Sequence, residues 1–141
     1  MAGGRLGYAL GPVELIADLE KIKYSTNPYN VNRLTLTLGE ATVDAESYYQ
    51  DMCGQIIRVR EWTSRELKAL GFAVLDSDAN FIFAKSDRIG GGELYQKLKK
   101  RGVLVRHFTA ERIKDYNRIT IGTQEQMEVF IETVKAILTG E

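Results

Sequence analysis

Apolar residues recur at intervals of three and four positions in two stretches of the chain. The longer stretch follows Asp44, a residue that can cap a helix, and its apolar positions continue to Leu70, where Gly71 can end the helix. The second follows Thr123, which forms a capping-box pattern with Gln126. This spacing places the apolar side chains on one face of a helix. We therefore predict a long amphipathic helix in mid-chain and another at the end.

Two small residues inside the long helix, Cys53 and Gly54, predict close packing there. Glycine in a helix interior costs about 1 kcal/mol relative to alanine, so Gly54 is expected to lie against a neighbouring element. Cys53 belongs to the same apolar pattern and is expected to be a buried, unreactive thiol.

Short runs of β-branched, aromatic and aliphatic residues lie between the two helices. Phe72–Leu75 and Asn80–Ala84 flank a polar turn and predict a β-hairpin. Gly102–Arg106 and Arg118–Gly122 predict a second pair of strands. The glycine triplet Gly90–Gly92 before a helix could bind phosphate, but it matches neither the dinucleotide-binding fingerprint nor the Walker loop. We therefore expect it to be a flexible loop.

The first part of the chain predicts shorter elements. Arg5–Leu10 has the pattern of a strand, and Pro12 is suited to the first position of a helix. Ser25–Asn30 has the composition of a loop, and Val31–Leu38 is apolar enough to form a short buried helix.

Strands that alternate with helices in the second half predict an α/β chain of the α+β kind. We expect a small mixed or antiparallel sheet covered by helices on one face, with the long helix connecting it to the first segment. The chain has 141 residues, of which 44% are hydrophobic, enough for one domain with a sizeable core.

Composition excludes several classes of function. The 19 basic and 19 acidic residues give a formal net charge of +0, which does not favour a nucleic-acid or membrane partner. A single cysteine and the single His107 cannot form a zinc site, so no metal is expected. No apolar run approaches the roughly 20 residues of a membrane span, and the sequence shows no signal peptide, which predicts a cytoplasmic protein.

Two arginines terminate neighbouring predicted strands. Arg106 ends one run and Arg118 begins the next, so a hairpin would bring both guanidinium groups to one sheet edge. Two such planar donors suit a carboxylate or a phosphate, and they predict a small anionic substrate. The alternative is a pair of solvated or salt-bridged surface arginines. His107 adjoins Arg106, which leaves a substrate contact open for it as well.

The order of these elements resembles the C-terminal part of fold type I aminotransferases that use pyridoxal phosphate, in the histidinol-phosphate aminotransferase branch. The segments that carry the resemblance are Ala2–Ala9, Pro28–Asn32, Ala79–Phe81, Gly102–Arg106 and Arg118–Thr123. They extend over nearly the whole chain.

The resemblance implies roles for four residues. Arg5 is similar to the family arginine that contacts the cofactor phosphate. Arg118 is similar to the arginine that binds the substrate carboxylate or, in this branch, the substrate phosphate, with Arg106 as its second anion contact. Asn80 is expected near the pocket. The implied reaction is a two-step amino exchange in which the cofactor supplies the chemistry.

The resemblance also implies that this chain is incomplete as a catalyst. In the family, the lysine that binds the cofactor lies a few residues upstream of the segment similar to Ala2–Ala9, whereas this sequence begins at Met1. Residues 1–43 would then be a remnant of the large cofactor-binding domain and 44–141 the small C-terminal domain. We expect no catalytic residue and no bound pyridoxal phosphate in this chain alone, with the upstream large domain as its missing partner.

Two alternatives remain open: a noncatalytic interaction module with the small-domain fold, and part of a related decarboxylase of phosphorylated amino acids. Under the aminotransferase hypothesis, Arg5–Leu10 would be a strand without its sheet, and surfaces normally covered by the large domain would be exposed. Unpaired edges and apolar patches favour association, so we expect a homo-oligomer.

Overall fold

A computed structural model describes residues 2–140, which fall into two compact units, Met1–Gln50 and Asp51–Glu141. The boundary between the units falls within a helix. The expected division of the chain into 1–43 and 44–141, with a large-domain origin for the first part, stays a prediction. None of the helices in the described part of the chain is both long and apolar enough to cross a bilayer.

The first unit consists of a 3₁₀ turn and helices. The turn covers Ala2–Gly4, helix α1 covers Val13–Thr26 and helix α2 covers Arg33–Asp44. The predicted strand at Arg5–Leu10 is wrong, because no strand among the described residues pairs with this segment and backbone groups need such a partner to form a sheet. Pro12 precedes α1 as its N-cap rather than as its first residue.

Helix α2 differs from the prediction in length and in burial. The amide of Thr35 donates to the side chain of Asn32 at 2.9 Å, which caps the helix at its start. The helix continues to Asp44, which is therefore its last residue and not the N-cap of the next helix. None of its residues is buried, so the prediction of a short buried helix was wrong.

Large apolar side chains remain exposed throughout the first unit, and α1, like α2, has no buried residue. The exposed set is Tyr8, Leu10, Val13, Leu15, Leu19, Ile22, Tyr24, Tyr29, Leu34, Leu36, Leu38, Val43 and Tyr48. Exposed apolar surface of this extent is typical of a surface that another element covers.

Helix α3 covers Glu46–Ala69 and is the predicted long helix. Gly71 follows it with a φ of +86°, a left-handed conformation that favours glycine at a helix end. The predicted packing at Gly54 is wrong, because a Cβ there would meet only the Nη1 atom of Arg58, at 3.4 Å. Cys53 is exposed and not buried. Hydrophobic spacing identifies the apolar face of a helix but not where along that face a neighbour lies.

The second unit contains a four-stranded antiparallel sheet, which confirms the predicted α+β architecture in its antiparallel form. Strands β1 (Phe72–Val74), β2 (Phe81–Ser86), β3 (Arg106–His107) and β4 (Asn117–Thr120) stand in the order β1-β2-β4-β3. The predicted hairpin of β1 and β2 is present. Strand β3 is shorter than predicted because the amide of Val103 donates to the carbonyl of Leu98 instead of to the sheet.

One face of the sheet and three helices form the core. Helices α4 (Gly91–Lys100) and α5 (Gln124–Thr139) follow β2 and β4 in the chain. The predicted capping box of Thr123 and Gln126 begins α5. The buried apolar residues are Leu67, Phe72, Ile82, Ala84, Ile89, Leu94, Leu98, Ile119, Ile121, Met127, Phe130, Ile131, Val134 and Ile137. The core thus belongs to the second unit.

The glycine triplet is a packed helix start and not the expected flexible loop. Gly91 is buried, and a Cβ at this position would lie 2.6 Å from the carbonyl carbon and oxygen of Asp115. The carbonyl of Gly91 also accepts a hydrogen bond of 2.9 Å from the buried Asn117 side chain. Helix α4 therefore approaches the segment before β4 so closely that only glycine fits.

We predict opposite effects of alanine at two helical glycines. Gly91→Ala should lower the free energy of unfolding by about 1–3 kcal/mol, because the backbone around Asp115 must move. Gly54→Ala should raise it by about 0.5–1 kcal/mol, because the position is open and alanine favours a helix. Chemical denaturation of the two variants and the unchanged chain measures both. A stabilising Gly91→Ala would contradict the close approach.

Candidate anion-binding site

The outer face of the sheet places the two predicted arginines side by side. Phe83 is the register partner of Arg118, and Arg118 is the register partner of Arg106. Register partners in an antiparallel sheet have side chains on the same face, so these three form one row across β2, β4 and β3. The neighbouring residues in β4, Asn117 and Ile119, are buried on the opposite face.

Aromatic rings form the floor beside this row. The rings of Phe83 and Tyr116 stack with centroids 4.7 Å apart, and Phe108 meets Phe83 edge-on at 6.0 Å. The Cζ atom of Arg106 lies 5.6 Å from the Phe108 centroid, and that of Arg118 lies 5.3 Å from the ring of Phe81. Each guanidinium group thus lies against a ring, a contact that restrains the side chain without neutralising its charge.

Neither arginine has an acidic partner among the described residues. Both are exposed, and no carboxylate oxygen in the described part of the chain lies within 4.0 Å of Arg106 or Arg118. The alternative that Arg106 and Arg118 form surface salt bridges is therefore wrong for the described residues, whereas both arginines are exposed to solvent as that alternative also expected. Two adjacent unpaired guanidinium groups provide several N–H donors for one anion.

Asn80 lies at the end of β2, at the side of the sheet where β4 ends. Its carbonyl accepts a hydrogen bond of 2.9 Å from the amide of Ile121, and the residue is exposed. The next residue, Phe81, pairs with Thr120, two positions along β4 from Arg118. Asn80 is thus at the same end of the sheet as Thr120, next to the outer-face residue Phe81, and its own register partner is the buried Ile121.

Two residues that no sequence pattern identified, Arg60 and Ser77, hold the turn before Asn80. Arg60 of α3 donates from Nη1 to the carbonyl of Ala79 at 2.7 Å, and its side chain is only 11% exposed. Ser77 donates to the carbonyl of Phe81 at 2.6 Å and accepts from the amide of Ala79 at 3.1 Å. A polar turn signals such bonds in general, but nothing in the sequence pairs the turn with a particular arginine.

His107 lies on the inner side of the sheet and not with the arginines. Its register partner is the buried Asn117, and its ring stacks on Tyr95 of α4 with centroids 5.8 Å apart. This placement does not support a substrate contact for His107. Within residues 2–140, no group of three or more His, Cys, Asp or Glu side chains is placed to hold a metal ion.

Arg5 belongs to the first unit, just after the 3₁₀ turn. Its φ is +54°, a left-handed conformation that is uncommon for residues other than glycine. The residue is exposed, and its guanidinium has no carboxylate within 4.0 Å in the part of the chain that the structure covers. Its free donors suit a phosphate group.

Solved structures of two aminotransferases and one decarboxylase share this fold. The putative histidinol-phosphate aminotransferase from Erwinia carotovora atroseptica matches with a TM-score of 0.84 and 21% identity, over 99% of this chain and 39% of that one. Histidinol-phosphate aminotransferase from Sinorhizobium meliloti, solved with pyridoxal-5'-phosphate, matches with a TM-score of 0.82 and 20% identity, over 99% and 38%. L-threonine-O-3-phosphate decarboxylase from Porphyromonas gingivalis matches with a TM-score of 0.60 and 22% identity, over 77% and 35%.

Curated relatives are closer in sequence. Histidinol-phosphate aminotransferase from Brachyspira hyodysenteriae is 46% identical over 138 residues, which are 98% of this chain and 39% of that protein. The enzyme of the same name from Syntrophus aciditrophicus is 44% identical over 137 residues, 97% of this chain and 38% of that protein. The chain thus spans about two fifths of the length of the curated relatives it matches.

A protein-family model identifies the family of this chain. The model for aminotransferase class I and II matches residues 1–134, nearly the entire chain. This match confirms the resemblance inferred from the sequence, and the family depends on pyridoxal phosphate. The chain belongs to the class I and II aminotransferases.

Proposed function

We propose that this chain forms the substrate-anion side of an aminotransferase active site, of the histidinol-phosphate type. The observation that carries the proposal is the row of Arg118 and Arg106, adjacent on an aromatic floor and without acidic partners among the described residues. The names of the relatives that are 46% and 44% identical favour a phosphorylated substrate.

Each residue of the row has a separate part in binding. Arg118 lies between Phe83 and Arg106, and it is the principal contact of the substrate anion. Arg106 binds the same anion from the edge strand. Asn80, whose two neighbours Ala79 and Phe81 are held by Arg60 and Ser77, orients the part of the substrate that lies away from the anion. Two guanidinium groups binding one anion fix its orientation as well as its position.

Arg5 is the residue of this chain that we assign to the phosphate of pyridoxal phosphate. Arg5 is exposed, and its guanidinium has no carboxylate within 4.0 Å among the described residues, so it would hold the cofactor phosphate. When bound, the cofactor ring supplies the electron sink for amino transfer. The remaining contacts would come from the part of the family length that this chain does not cover, so we propose that the chain alone neither retains the cofactor nor transfers amino groups.

The related decarboxylase is the second candidate, because a phosphothreonine decarboxylase shares the fold with a TM-score of 0.60. It would use the same arginines for the phosphate of its substrate. The noncatalytic interaction module with the small-domain fold is the third possibility.

We predict that amino transfer appears when the chain is completed. The chain is joined in frame behind the upstream part of the Brachyspira hyodysenteriae relative, and amino transfer from histidinol phosphate is measured with added cofactor. Arg118→Ala should lower kcat/KM about a hundredfold, since a charge-assisted pair of hydrogen bonds is lost. The exposed Arg112→Ala should leave it unchanged and serves as the matched control.

Three outcomes separate the candidates. Release of carbon dioxide from a phosphorylated amino acid, without amino transfer, favours the decarboxylase. A fusion that neither binds the cofactor nor converts a substrate favours the noncatalytic module. Amino transfer that is insensitive to Arg118→Ala contradicts the role of the arginine row.

We also propose that the chain forms a homo-oligomer, for a different reason from the one the sequence suggested. The expected orphan strand at Arg5–Leu10 is not formed, so edge pairing no longer supports association. The exposed apolar side chains of the first unit support association instead, because the contact of so much apolar surface with water is unfavourable.

We therefore predict that the isolated chain is a dimer or larger. Light scattering after size exclusion, at a concentration of tens of micromolar, measures the mass directly. Leu15→Ser together with Leu36→Ser should reduce association, because both side chains are exposed members of the apolar set. A single species of the mass of one chain would contradict the prediction.

A further inference from the structure

A third cation, Lys85, lies on the outer face of the sheet. Lys85 is in β2, two positions after Phe83, and strand alternation places it on the same face. It is half-buried, and no carboxylate oxygen among residues 2–140 lies within 4.0 Å of its Nζ atom. Its ammonium group therefore has no acidic partner in the described part of the chain and can donate to an anion.

Lys85 is held next to the arginine row by the aromatic floor. Its Nζ atom lies 5.5 Å from the ring centroid of Tyr116, the ring that stacks on Phe83. The register of Ala84 with Asn117 places Lys85 opposite Tyr116, so Lys85 is a diagonal neighbour of Arg118. Diagonal neighbours in a sheet have Cβ atoms roughly 7 Å apart, within reach of long side chains.

We propose that Lys85 is a third contact of the bound anion and selects a phosphomonoester over a carboxylate. The inference rests on the proposed function, because it assigns Lys85 to the anion site of Arg118 and Arg106. Two guanidinium groups satisfy a carboxylate, which has one charge and two oxygens. A phosphomonoester carries nearly two charges and three terminal oxygens at neutral pH, so an ammonium group as a third donor favours it specifically.

The test compares two small anions on the chain itself. Methyl phosphate and acetate are titrated into the isotopically labelled chain at about pH 8, and dissociation constants are read from the amide signals of β4. Lys85→Met keeps the apolar stem and removes the charge. We expect the dissociation constant of methyl phosphate to rise roughly fivefold to tenfold and that of acetate to change less than twofold.

Two further variants and a second pH complete the design. Lys85→Arg should retain the preference for methyl phosphate, because it keeps the charge. Lys114→Met is the matched control, since Lys114 pairs with Glu111 at 2.6 Å, and it should change neither constant. At about pH 5, below the second phosphate pKa of about 6, methyl phosphate has one charge, and the effect of Lys85→Met should shrink to about twofold.

The outcomes distinguish failure of this inference from failure of the proposed function. If Lys85→Met raises the dissociation constants of both anions equally, or raises neither, the assignment of Lys85 is overturned. If Arg118→Lys still weakens both anions in that case, the arginine site itself stands. If Arg118→Lys changes neither constant, or neither anion shifts the β4 signals, the proposed function and this inference both fail.

Discussion

The antiparallel register of β2, β4 and β3 is the constraint on which the rest of the second unit depends. Because side chains alternate between faces, one register places Ile82 and Ile119 in the core and Phe83, Arg118 and Arg106 on the outer face. A slip of one residue would bury a guanidinium group and expose the core. The packing of α5 against the inner face therefore fixes the anion site on the outer face.

The close approach of α4 to the segment before β4 supports the same register from the inner side. The carbonyl of Gly91 accepts from Asn117, the residue before Arg118, and the backbone at Asp115 leaves no room for a side chain at Gly91. His107, the residue after Arg106, stacks on Tyr95 of the same helix. Each arginine is thus adjacent in sequence to a residue that α4 holds, which links helix packing to the position of the two charges.

The sequence predicted several features that depend on local chemistry, although Asp44 ends α2 instead of capping α3. The capping box fixed the start of α5, and the two strand runs correctly brought Arg106 and Arg118 together. It did not predict the features that depend on distant partners. The bond from Arg60 to Ala79 joins residues 19 positions apart, and Gly91 was interpreted as flexible because its neighbour Asp115 is remote in sequence. Arg5–Leu10 has strand composition, but composition cannot supply the strand that would pair with it.

The pairing of Arg106 with Arg118 also has a thermodynamic cost. Like charges directly opposite one another in a sheet repel, so the folded chain is destabilised by the two residues placed to bind the ligand. An anion that binds only the folded state removes this repulsion and adds its own binding free energy to folding. Dissolved salt weakens the same repulsion by screening, with a Debye length of about 10 Å at an ionic strength of 0.1 M. Ionic strength therefore acts on this chain in two opposing ways, since it stabilises the empty sheet while it weakens the attraction that brings the substrate to it.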